Sequence, residues 1–360
     1  MRLFTDRRAR RTALAAATGL TAAVALGATA AANSAGAAQP ATVQPAAANS
    51  AGAAQPATVQ PAAALPSGIA APYLYLGWGN PPSATSVMSA TGIKQFTMAF
   101  VLSDGGCNPK WDGSRALTGG TDQSTIGKIR AAGGDVTVSF GGYSGNKLGQ
   151  KCSSASALAG AYQKVINAYQ LKSIDVDIEA GEFSSSTVRQ RVVDALKTVR
   201  AKNASLKIYV TFGTTPTGPD AAGKDLIKKG AAAGLNIDAW AVMPFDYDQG
   251  STDMLATTRT AVDGLKNAVA SAYHLSSDAA YRKVGLSSMN GRTDSSGETV
   301  SLSNFKAIIS YAKSHHLARV SFWALNRDRT CPSGQSAGDT CSGISQGTYD
   351  FTKALATYTG

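Results

Sequence analysis

A run of alternating acidic and apolar residues is the part of the sequence best suited to chemistry. It reads Ser-Ile-Asp-Val-Asp-Ile-Glu at positions 173–179. Side chains alternate across a β-strand, so Asp175, Asp177 and Glu179 share one face. Three neighbouring carboxyl groups repel one another as anions, so we expect at least one to keep a proton. A protonated carboxyl beside an ionised one suits general acid chemistry near neutral pH.

The alternative for this run is a surface strand with a solvated acidic face. The apolar residues between the acids, Ile174, Val176 and Ile178, argue against it. They predict an internal strand whose apolar face packs on helices and whose acidic face points into an enclosed space. In that arrangement Glu179 lies nearest the open end of the strand and can reach a substrate.

Eight β-rich runs alternate with helix-like stretches and supply the elements that position these acids. Strands that alternate with helices predict βαβ units and a parallel sheet. Eight units over about 290 residues favour a closed α/β fold, the (β/α)8 TIM barrel, over a doubly wound sheet. We expect the segment 103–123 to be loop. The runs are residues 73–79, 95–102, 135–142, 173–179, 207–214, 237–245, 283–289 and 319–325.

The fingerprint of a dinucleotide-binding fold is absent, because no Gly-x-Gly-x-x-Gly follows the first run. In a barrel, the active site lies at the carboxyl ends of the strands. The ends of these runs carry acids, aromatic residues and glycines. A site for a glycan needs carboxylates flanked by aromatic walls, and this set of residue types supplies both.

Four motifs resemble those of glycoside hydrolase family 18, the chitinase family. Asp175-x-Asp177-x-Glu179 resembles its Asp-x-Asp-x-Glu signature, and the SFGG run at 139–142 resembles its Ser-x-Gly-Gly motif. The MPFDYD run at 243–248 resembles its sixth-strand element, and FWALNRD at 322–328 resembles its eighth-strand segment. The motifs occur in the family's order, and the resemblance covers roughly 73–350. It is strongest to secreted bacterial chitinases of the actinobacterial type.

The resemblance implies a retaining hydrolase of β-1,4-linked N-acetylglucosamine polymers, that is, chitin, that uses the substrate as its own nucleophile. Family 18 is an exception to the scheme with two catalytic carboxylates. It implies that Glu179 protonates the glycosidic oxygen while the 2-acetamido oxygen attacks the anomeric carbon. Asp177 would orient the acetamide, and Asp175 would hold Asp177. The resemblance implies no cofactor and no metal.

The resemblance also implies a set of residues that bind the sugar. Trp323 would form the floor under the sugar at the cleavage point, and Asp246 with Tyr247 would hold the acetamido group. Trp78 is a candidate stacking platform. The remaining candidates are Met243, Phe140 and Gly141.

The sequence departs from the family pattern at several positions. Lys172 and Ser173 stand where an Asp-Gly pair is usual, and Ile178 stands where an aromatic residue often precedes the acid. Phe245 occupies a position where many members have Tyr or Met, which makes Tyr247 the less certain of the acetamide contacts. We expect these departures to tune the activity and not to abolish it.

The N-terminus predicts export. Five arginines against one aspartate in the first eleven residues precede an apolar run and small residues, which is the pattern of a secretory signal, here 1–30. The Arg7-Arg8 pair also allows a twin-arginine route. An identical 16-residue segment then occurs twice, at 32–47 and 48–63, and its composition predicts a disordered linker over 31–66. The catalytic domain is predicted at 67–360.

The formal charge of +11 is concentrated in part in this signal. Elsewhere no Lys/Arg cluster is interleaved with aromatic residues, so nucleic acid is not an expected partner. We expect a secreted, extracellular protein that is not held on a membrane once the signal is cleaved. The expected partner is a polysaccharide, and the expected state is a monomer.

The four cysteines, an even number in a chain with an export signal, predict two disulfides. Three pairings are possible. We expect Cys107–Cys152 and Cys331–Cys341, because the second pair closes a short loop rich in Gly and Ser. Zinc binding is the competing interpretation, but the sequence has no Cys-x-x-Cys spacing and only 3 His.

Two other functions remain open at this stage. An endo-β-N-acetylglucosaminidase that acts on glycoprotein glycans would share Asp177 and Glu179 but need a different aromatic lining. A catalytically silent lectin or inhibitor on the same barrel is the alternative outside the enzymes, and such proteins commonly lose the acid. We expect Glu182 to lie in solvent, and Asp294 and Glu298 to serve only their own loop.

Overall fold

The computed structural model of the chain describes residues 68–250 and 253–360. The predicted signal peptide (1–30) and linker (31–66) lie outside the described residues. The predicted catalytic domain begins at 67, one residue before the first described residue. Within the described part, none of the helices is both long enough and apolar enough to span a bilayer.

Every run that the sequence predicts to be a strand forms one. The strands are β1 (Ile69–Ala70), β2 (Tyr73–Tyr75), β3 (Gln95–Ser103), β4 (Pro109–Trp111), β5 (Asp135–Gly141), β6 (Ser173–Ile178), β7 (Lys207–Gly213), β8 (Ala239–Met243), β9 (Val284–Met289), β10 (Gly291–Arg292), β11 (Thr299–Val300) and β12 (Arg319–Trp323).

Helices follow most of these strands. They are α1 (Ala84–Thr91), α2 (Thr121–Ala131), α3 (Leu148–Lys151), α4 (Ala155–Tyr169), α5 (Ala180–Ser184), α6 (Ser186–Lys202), α7 (Ala221–Ala232), α8 (Met254–Tyr273), α9 (Ser277–Tyr281), α10 (Leu302–Ser314) and α11 (Asp350–Leu355), with a 3₁₀ turn at Leu325–Arg327. Side-chain caps set the starts of several of them: Ser154, Ser185, Asp253 and Ser301 accept a backbone N–H at the first turns of α4, α6, α8 and α10.

The first strand of the sheet closes it into a ring. β1 pairs in parallel with β12, and β2, two residues later, pairs in parallel with β3. The remaining order is β12-β9-β8-β7-β6-β5-β3, with every neighbouring pair parallel. The segment 69–75 therefore joins the first and last strands, and the fold is the predicted (β/α)8 barrel.

The segment 103–123 differs from its prediction as loop. It contains β4, which pairs antiparallel with the end of β3, and α2 begins at Thr121. Trp111 in β4 is buried and donates its indole N–H to the hydroxyl of Tyr169 at 2.8 Å. This tertiary contact is what holds a strand in a segment with little strand pattern of its own.

Both predicted disulfides are present. Cys107 and Cys152 have Cα atoms 4.5 Å apart, and Cys331 and Cys341 have Cα atoms 4.9 Å apart. The first joins the segment after β3 to the residue after α3, and the second closes a loop after β12. Both disulfides therefore constrain loops at the carboxyl ends of barrel strands.

Candidate active site

Asp175, the acid of β6 farthest from the carboxyl end of the strand, is fully buried and accepts hydrogen bonds on both of its oxygens. Asp175 has no exposed surface. Its Oδ2 accepts from the hydroxyls of Tyr73 at 2.9 Å and Ser139 at 2.6 Å, and its Oδ1 accepts from Thr211 at 2.7 Å. Arg319 donates to the same Oδ1 and forms an ion pair with it. These contacts place Asp175 inside the lumen, as predicted, and leave it no free acceptor for a substrate.

Arg319 is a buried counterion that the sequence analysis missed. Its side chain is 1% exposed. Its guanidinium lies 5.5 Å from the ring centre of Tyr73 and 5.1 Å from that of Tyr209, and it donates to the Thr97 hydroxyl at 3.0 Å. A buried charge needs a partner and hydrogen bonds. The residues Asp175, Asp177 and Glu179 are called the acid ladder below. The ion pair of Arg319 with Asp175 makes the base of this ladder electrically neutral.

Asp177, the middle acid, is buried and has an unused oxygen. It is 3% exposed, and its Oδ1 has no hydrogen-bond partner among the described residues. Burial raises the pKa of Asp177 well above its ordinary value, and the charges of Glu179 and Asp175 raise it further, against Lys147 and Arg319, which lower it. Asp177 and Glu179 therefore do not both ionise readily, and this upper pair of acids holds a proton between them. The Oδ1 atom of Asp177 is available to accept a hydrogen bond from a ligand.

Glu179 is placed one residue beyond β6, at the start of α5. Its backbone remains extended, with φ −132° and ψ 172°, so the alternation of the strand continues through it. Glu179 therefore falls on the same face as Asp177, one rung nearer the mouth. It is partly exposed, whereas the two acids below it are buried. This is the position that a proton donor to a bound substrate needs.

Gly141 is pressed against the acid strand. It is the register partner of Asp177, and a Cβ on it would lie 2.1 Å from the Asp177 carbonyl oxygen. The next residue, Gly142, donates its N–H to that oxygen at 2.9 Å. The φ of Gly141 is +102°, in the region that favours glycine. The glycine pair therefore sets the approach of β5 to β6.

Phe140 does not face the lumen of the barrel, and its assignment as a binding residue is wrong. Ser139, its neighbour, donates into the lumen to Asp175, so alternation turns Phe140 to the outside of the barrel. There its ring centre lies 4.7 Å from that of Tyr162 on α4, and the residue is 2% exposed. It contributes to the core between sheet and helices.

Trp323 stands among aromatic side chains at the mouth of the barrel. It stacks on Phe100 with ring centres 5.6 Å apart and planes 13° from parallel. Tyr73 and Tyr75 lie 5.8 and 6.0 Å from it. These three neighbours were not predicted from the sequence, and with Trp323 and Trp78 they form the aromatic wall of the site.

Trp78 lies at the outer end of this wall. It is 44% exposed, and its ring centre lies 4.4 Å from Tyr75 and 6.3 Å from Trp323. Asn326 holds the segment in place, because its amide donates to the carbonyls of Tyr75 at 2.8 Å and Trp78 at 2.9 Å. A large exposed indole that is held by its backbone is suited to stacking on a sugar ring.

The side chains of β8 and of the residues that follow it lie on two different sides of the barrel wall. Ala239, Ala241 and Met243 alternate with residues of the outer core, which places Met243 on the lumen face. Asp246 follows in a left-handed conformation with φ +57°. Tyr247 is 8% exposed and belongs to the large hydrophobic core, not to the aromatic wall. Its assignment as an acetamide contact is therefore wrong, because the turn at Asp246 sends its ring outward.

Glu298 reaches beyond its own loop, contrary to expectation. It is 1% exposed and accepts the backbone N–H groups of both Asp246 and Tyr247. The sequence carries no local signal for this contact, since the partners are about fifty positions apart.

Glu182 is buried, not solvated as expected. It is 2% exposed, and its Oε1 accepts the N–H of Gly149 at 2.9 Å. Burial raises its pKa from about 4.5 to about 7, although Lys147 and the Gly149 amide lower it. Lys147 is also 2% exposed, and burial lowers its pKa against the opposing charges of Glu179, Glu182 and Asp177. Glu182 and Lys147 therefore lie close enough for each to shift the pKa of the other.

We expect Glu182→Gln to change how stability depends on pH. The folded protein holds the Glu182 proton up to about pH 7, whereas the unfolded chain releases it near 4.5. The folded state therefore binds more protons in this window, and its stability falls as pH rises, by up to about 1.4 kcal/mol per pH unit. Urea unfolding at pH 5 and pH 7 should show the variant gaining roughly 2 kcal/mol relative to wild type over that interval. Parallel curves would contradict this assignment.

Among the described residues, no group of three or more His, Cys, Asp or Glu side chains is arranged to hold a metal ion.

Comparison with known proteins gives two curated relatives. A probable bifunctional chitinase/lysozyme of Escherichia coli strain K12 is 26% identical over 308 residues, which cover 80% of this chain and 34% of the relative. Endochitinase 11 of Metarhizium anisopliae is 26% identical over 272 residues, which cover 72% of this chain and 52% of the relative. The chain thus spans about a third and about half of the length of these proteins. No family model matches it.

A solved structure is similar over nearly its whole length. The catalytic domain of a hyperthermophilic chitinase from Pyrococcus furiosus is 26% identical, with a TM-score of 0.72. The alignment covers 80% of this chain and 93% of that domain. The 80% of this chain that the alignment covers is about the share of the chain that the structure describes.

Proposed function

We propose that the chain is a member of glycoside hydrolase family 18, the chitinase family, and that it cleaves β-1,4-linked N-acetylglucosamine polymers with retention of anomeric configuration. The relatives named above are chitinases, and the barrel carries an acid ladder beside an aromatic wall. The likeness to the actinobacterial type remains a prediction.

The observation that carries the proposal is that Asp175, Asp177 and Glu179 differ in burial and in hydrogen bonding. Asp175 is saturated by its donors, Asp177 is buried with one unused oxygen, and Glu179 is partly open at the mouth. Only the upper two acids can therefore engage a substrate. An acetamido group provides the polar hydrogen that the unused oxygen of Asp177 lacks, and an unsatisfied buried oxygen is costly to leave unpaired.

In the proposed first step, the Glu179 carboxyl gives its proton to the glycosidic oxygen, and the bond from that oxygen to the anomeric carbon breaks. The carbonyl oxygen of the sugar's own 2-acetamido group forms the new bond to that carbon, which produces an oxazolinium ion. Asp177 accepts the acetamide N–H and stabilises the positive charge that develops there. The aromatic wall holds the ring in place by stacking.

In the second step, the Glu179 carboxylate takes a proton from a water molecule, and the oxygen of that water forms a bond to the anomeric carbon. The oxazoline ring opens, and Glu179 is protonated again for the next turnover. Two displacements on one carbon restore its original configuration, so retention follows from the scheme.

The buried charges below the ladder support these steps without contacting the substrate. Asp175 is fixed by Arg319 and three hydroxyls, so it presents a constant charge to Asp177. The other deeply buried glutamates are engaged elsewhere: Glu182 accepts the Gly149 amide, and Glu298 accepts two backbone amides. This is consistent with a nucleophile supplied by the substrate.

We also propose that the protein is exported and acts outside the cell as a monomer on chitin-like polysaccharide. The arginine-rich start followed by an apolar run supports export. The two disulfides support an oxidising compartment, since such bonds are rare in the cytosol.

The proposal is tested by comparing three substrates. The wild-type protein should release short oligomers from colloidal chitin and from a defined N-acetylglucosamine oligomer, and should leave a high-mannose glycoprotein intact. Preferential release of the glycan would identify an endo-β-N-acetylglucosaminidase instead. Binding of chitin without any release of oligomers would identify a lectin or inhibitor.

A further inference from the structure

A small hairpin after the seventh barrel strand packs against the segment that follows β8. The hairpin consists of β10 and β11, and the loop between them contains Ser295 and Glu298. The Oε2 of Glu298 accepts the backbone N–H of Asp246 at 2.8 Å, and its Oε1 accepts that of Tyr247 at 2.7 Å. One buried carboxylate thus holds two consecutive amides of a different loop.

The same hairpin also holds the side chains of that loop. The N–H of Ser295 donates to Asp246 Oδ1 at 3.0 Å, and the hydroxyl of Ser295 donates to Asp248 Oδ1 at 2.8 Å. Asp246 and Asp248 have φ of +57° and +56°. Left-handed conformations are unfavourable for residues other than glycine and persist only where the surroundings fix them. The contacts from Ser295 and Glu298 are the ones that fix them here.

The clamp on this loop is charge-assisted and shielded from water. Glu298 is 1% exposed. Burial raises its pKa, whereas the amides of Tyr247 and Asp246 lower it. Hydrogen bonds to an ionised acceptor are about twice as strong as neutral ones. The orientation of Asp246 therefore depends on a residue that no motif of the sequence identifies.

We propose that Glu298 is a positioning residue for carbohydrate binding, which acts by fixing the backbone that presents Asp246 to the acetamido group of the substrate. This inference rests on the proposed function. It extends that function to the hairpin β10–β11, which determines the geometry of acetamide binding without touching the sugar.

Binding is measured in the full chain by calorimetry, with Glu179→Gln as the background so that the ligand is not consumed. The ligands are a pentamer of N-acetylglucosamine and a pentamer of glucose, which lacks acetamido groups. Glu298→Gln keeps the shape of the side chain and loses one of its two acceptors. We expect it to weaken binding of the N-acetylglucosamine pentamer about tenfold, the effect of one charge-assisted hydrogen bond.

The decisive comparison repeats Glu298→Gln in a chain that already carries Asp246→Ala. If Glu298 acts through Asp246, its replacement there should change affinity by less than about twofold, because coupled residues are not additive. An equal loss in both backgrounds, or no loss in either, would overturn the inference.

Asp328→Asn is the matched control, because Asp328 is also a buried carboxylate that accepts two consecutive amides. Its partners are Phe351 at 3.2 Å and Thr352 at 2.8 Å, at the start of α11. This variant should be destabilised like Glu298→Gln but should bind the N-acetylglucosamine pentamer with unchanged affinity. A matching loss of affinity would show that the effect of Glu298→Gln is one of general stability and would overturn the inference.

The outcomes separate this inference from the proposed function. Failure of the Glu179→Gln background to bind the N-acetylglucosamine pentamer would overturn both. Binding that responds to Glu298 as expected, in a protein whose wild type releases no oligomers, would overturn the proposed function alone.

Discussion

Glu179→Gln should lower kcat on N-acetylglucosamine oligomers by about 10²- to 10⁴-fold, the contribution typical of general acid catalysis. Glutamine keeps the size of the side chain but carries no transferable proton. The glycosidic oxygen would then have to leave as an anion. Steady-state rates on a defined oligomer, measured with the same preparation of wild type and variant, give the ratio.

The control for this variant is the binding of the unreacted oligomer. Glu179 lies at the mouth of the barrel and acts on the glycosidic bond. The Kd of the oligomer, measured by calorimetry, should therefore change little in Glu179→Gln, while kcat falls strongly. Asp177→Asn should reduce kcat as well, since the amide replaces the oxygen that orients the acetamido group. Retention of wild-type activity by Glu179→Gln would refute the assignment of the proton donor.

Arg319→Met should lower the free energy of unfolding by about 3–5 kcal/mol, the effect of breaking a buried ion pair on one side. The guanidinium is 1% exposed and its partner Asp175 is fully buried. Removing the positive charge leaves Asp175 enclosed with hydroxyls alone and no counterion. Urea unfolding at neutral pH measures the loss.

Two further variants show whether the effect belongs to the buried pair. Arg282→Met removes a partner of Asp278 from a pair on the surface, where both side chains are more than half exposed, and should change stability by less than about 1 kcal/mol. Adding Asp175→Asn to Arg319→Met removes the uncompensated charge and should recover part of the loss. Equal effects of Arg319→Met and Arg282→Met would show that the buried charge is not the cause.

The fold and the acid ladder could be predicted because their signals are local. Alternating residues in each run mark strands, and the spacing of eight runs fixes the barrel. The face shared by Asp175, Asp177 and Glu179 follows from alternation alone. The cysteine pairing was also correct, because a short loop between Cys331 and Cys341 is the simplest closure.

Two errors came from not applying the same alternation to other strands. Ser139 donates to Asp175, so its neighbour Phe140 had to face outward. Arg319 and Trp323 are four positions apart on β12 and therefore share a face, which places the guanidinium in the lumen below the tryptophan. The sequence contained this signal, and the counterion could have been identified.

The remaining differences depend on contacts between distant parts of the chain. Glu182 is buried because Gly149 approaches it, and Glu298 is buried because the loop after β8 turns toward its hairpin. The left-handed turn at Asp246, which directs Tyr247 into the outer core, is stabilised by that same hairpin. No pattern within either segment specifies its partner, so burial and pKa at these positions required the three-dimensional structure.

The central claim, cleavage through the acetamido group of the substrate with Glu179 as proton donor, is tested most directly by the anomeric form of freshly released product. A pentamer of N-acetylglucosamine is incubated briefly with the wild type, and the new reducing ends are followed by proton NMR before mutarotation. The account predicts that the β-anomer appears first. New ends that appear first as the α-anomer would mean single displacement by water and would contradict it.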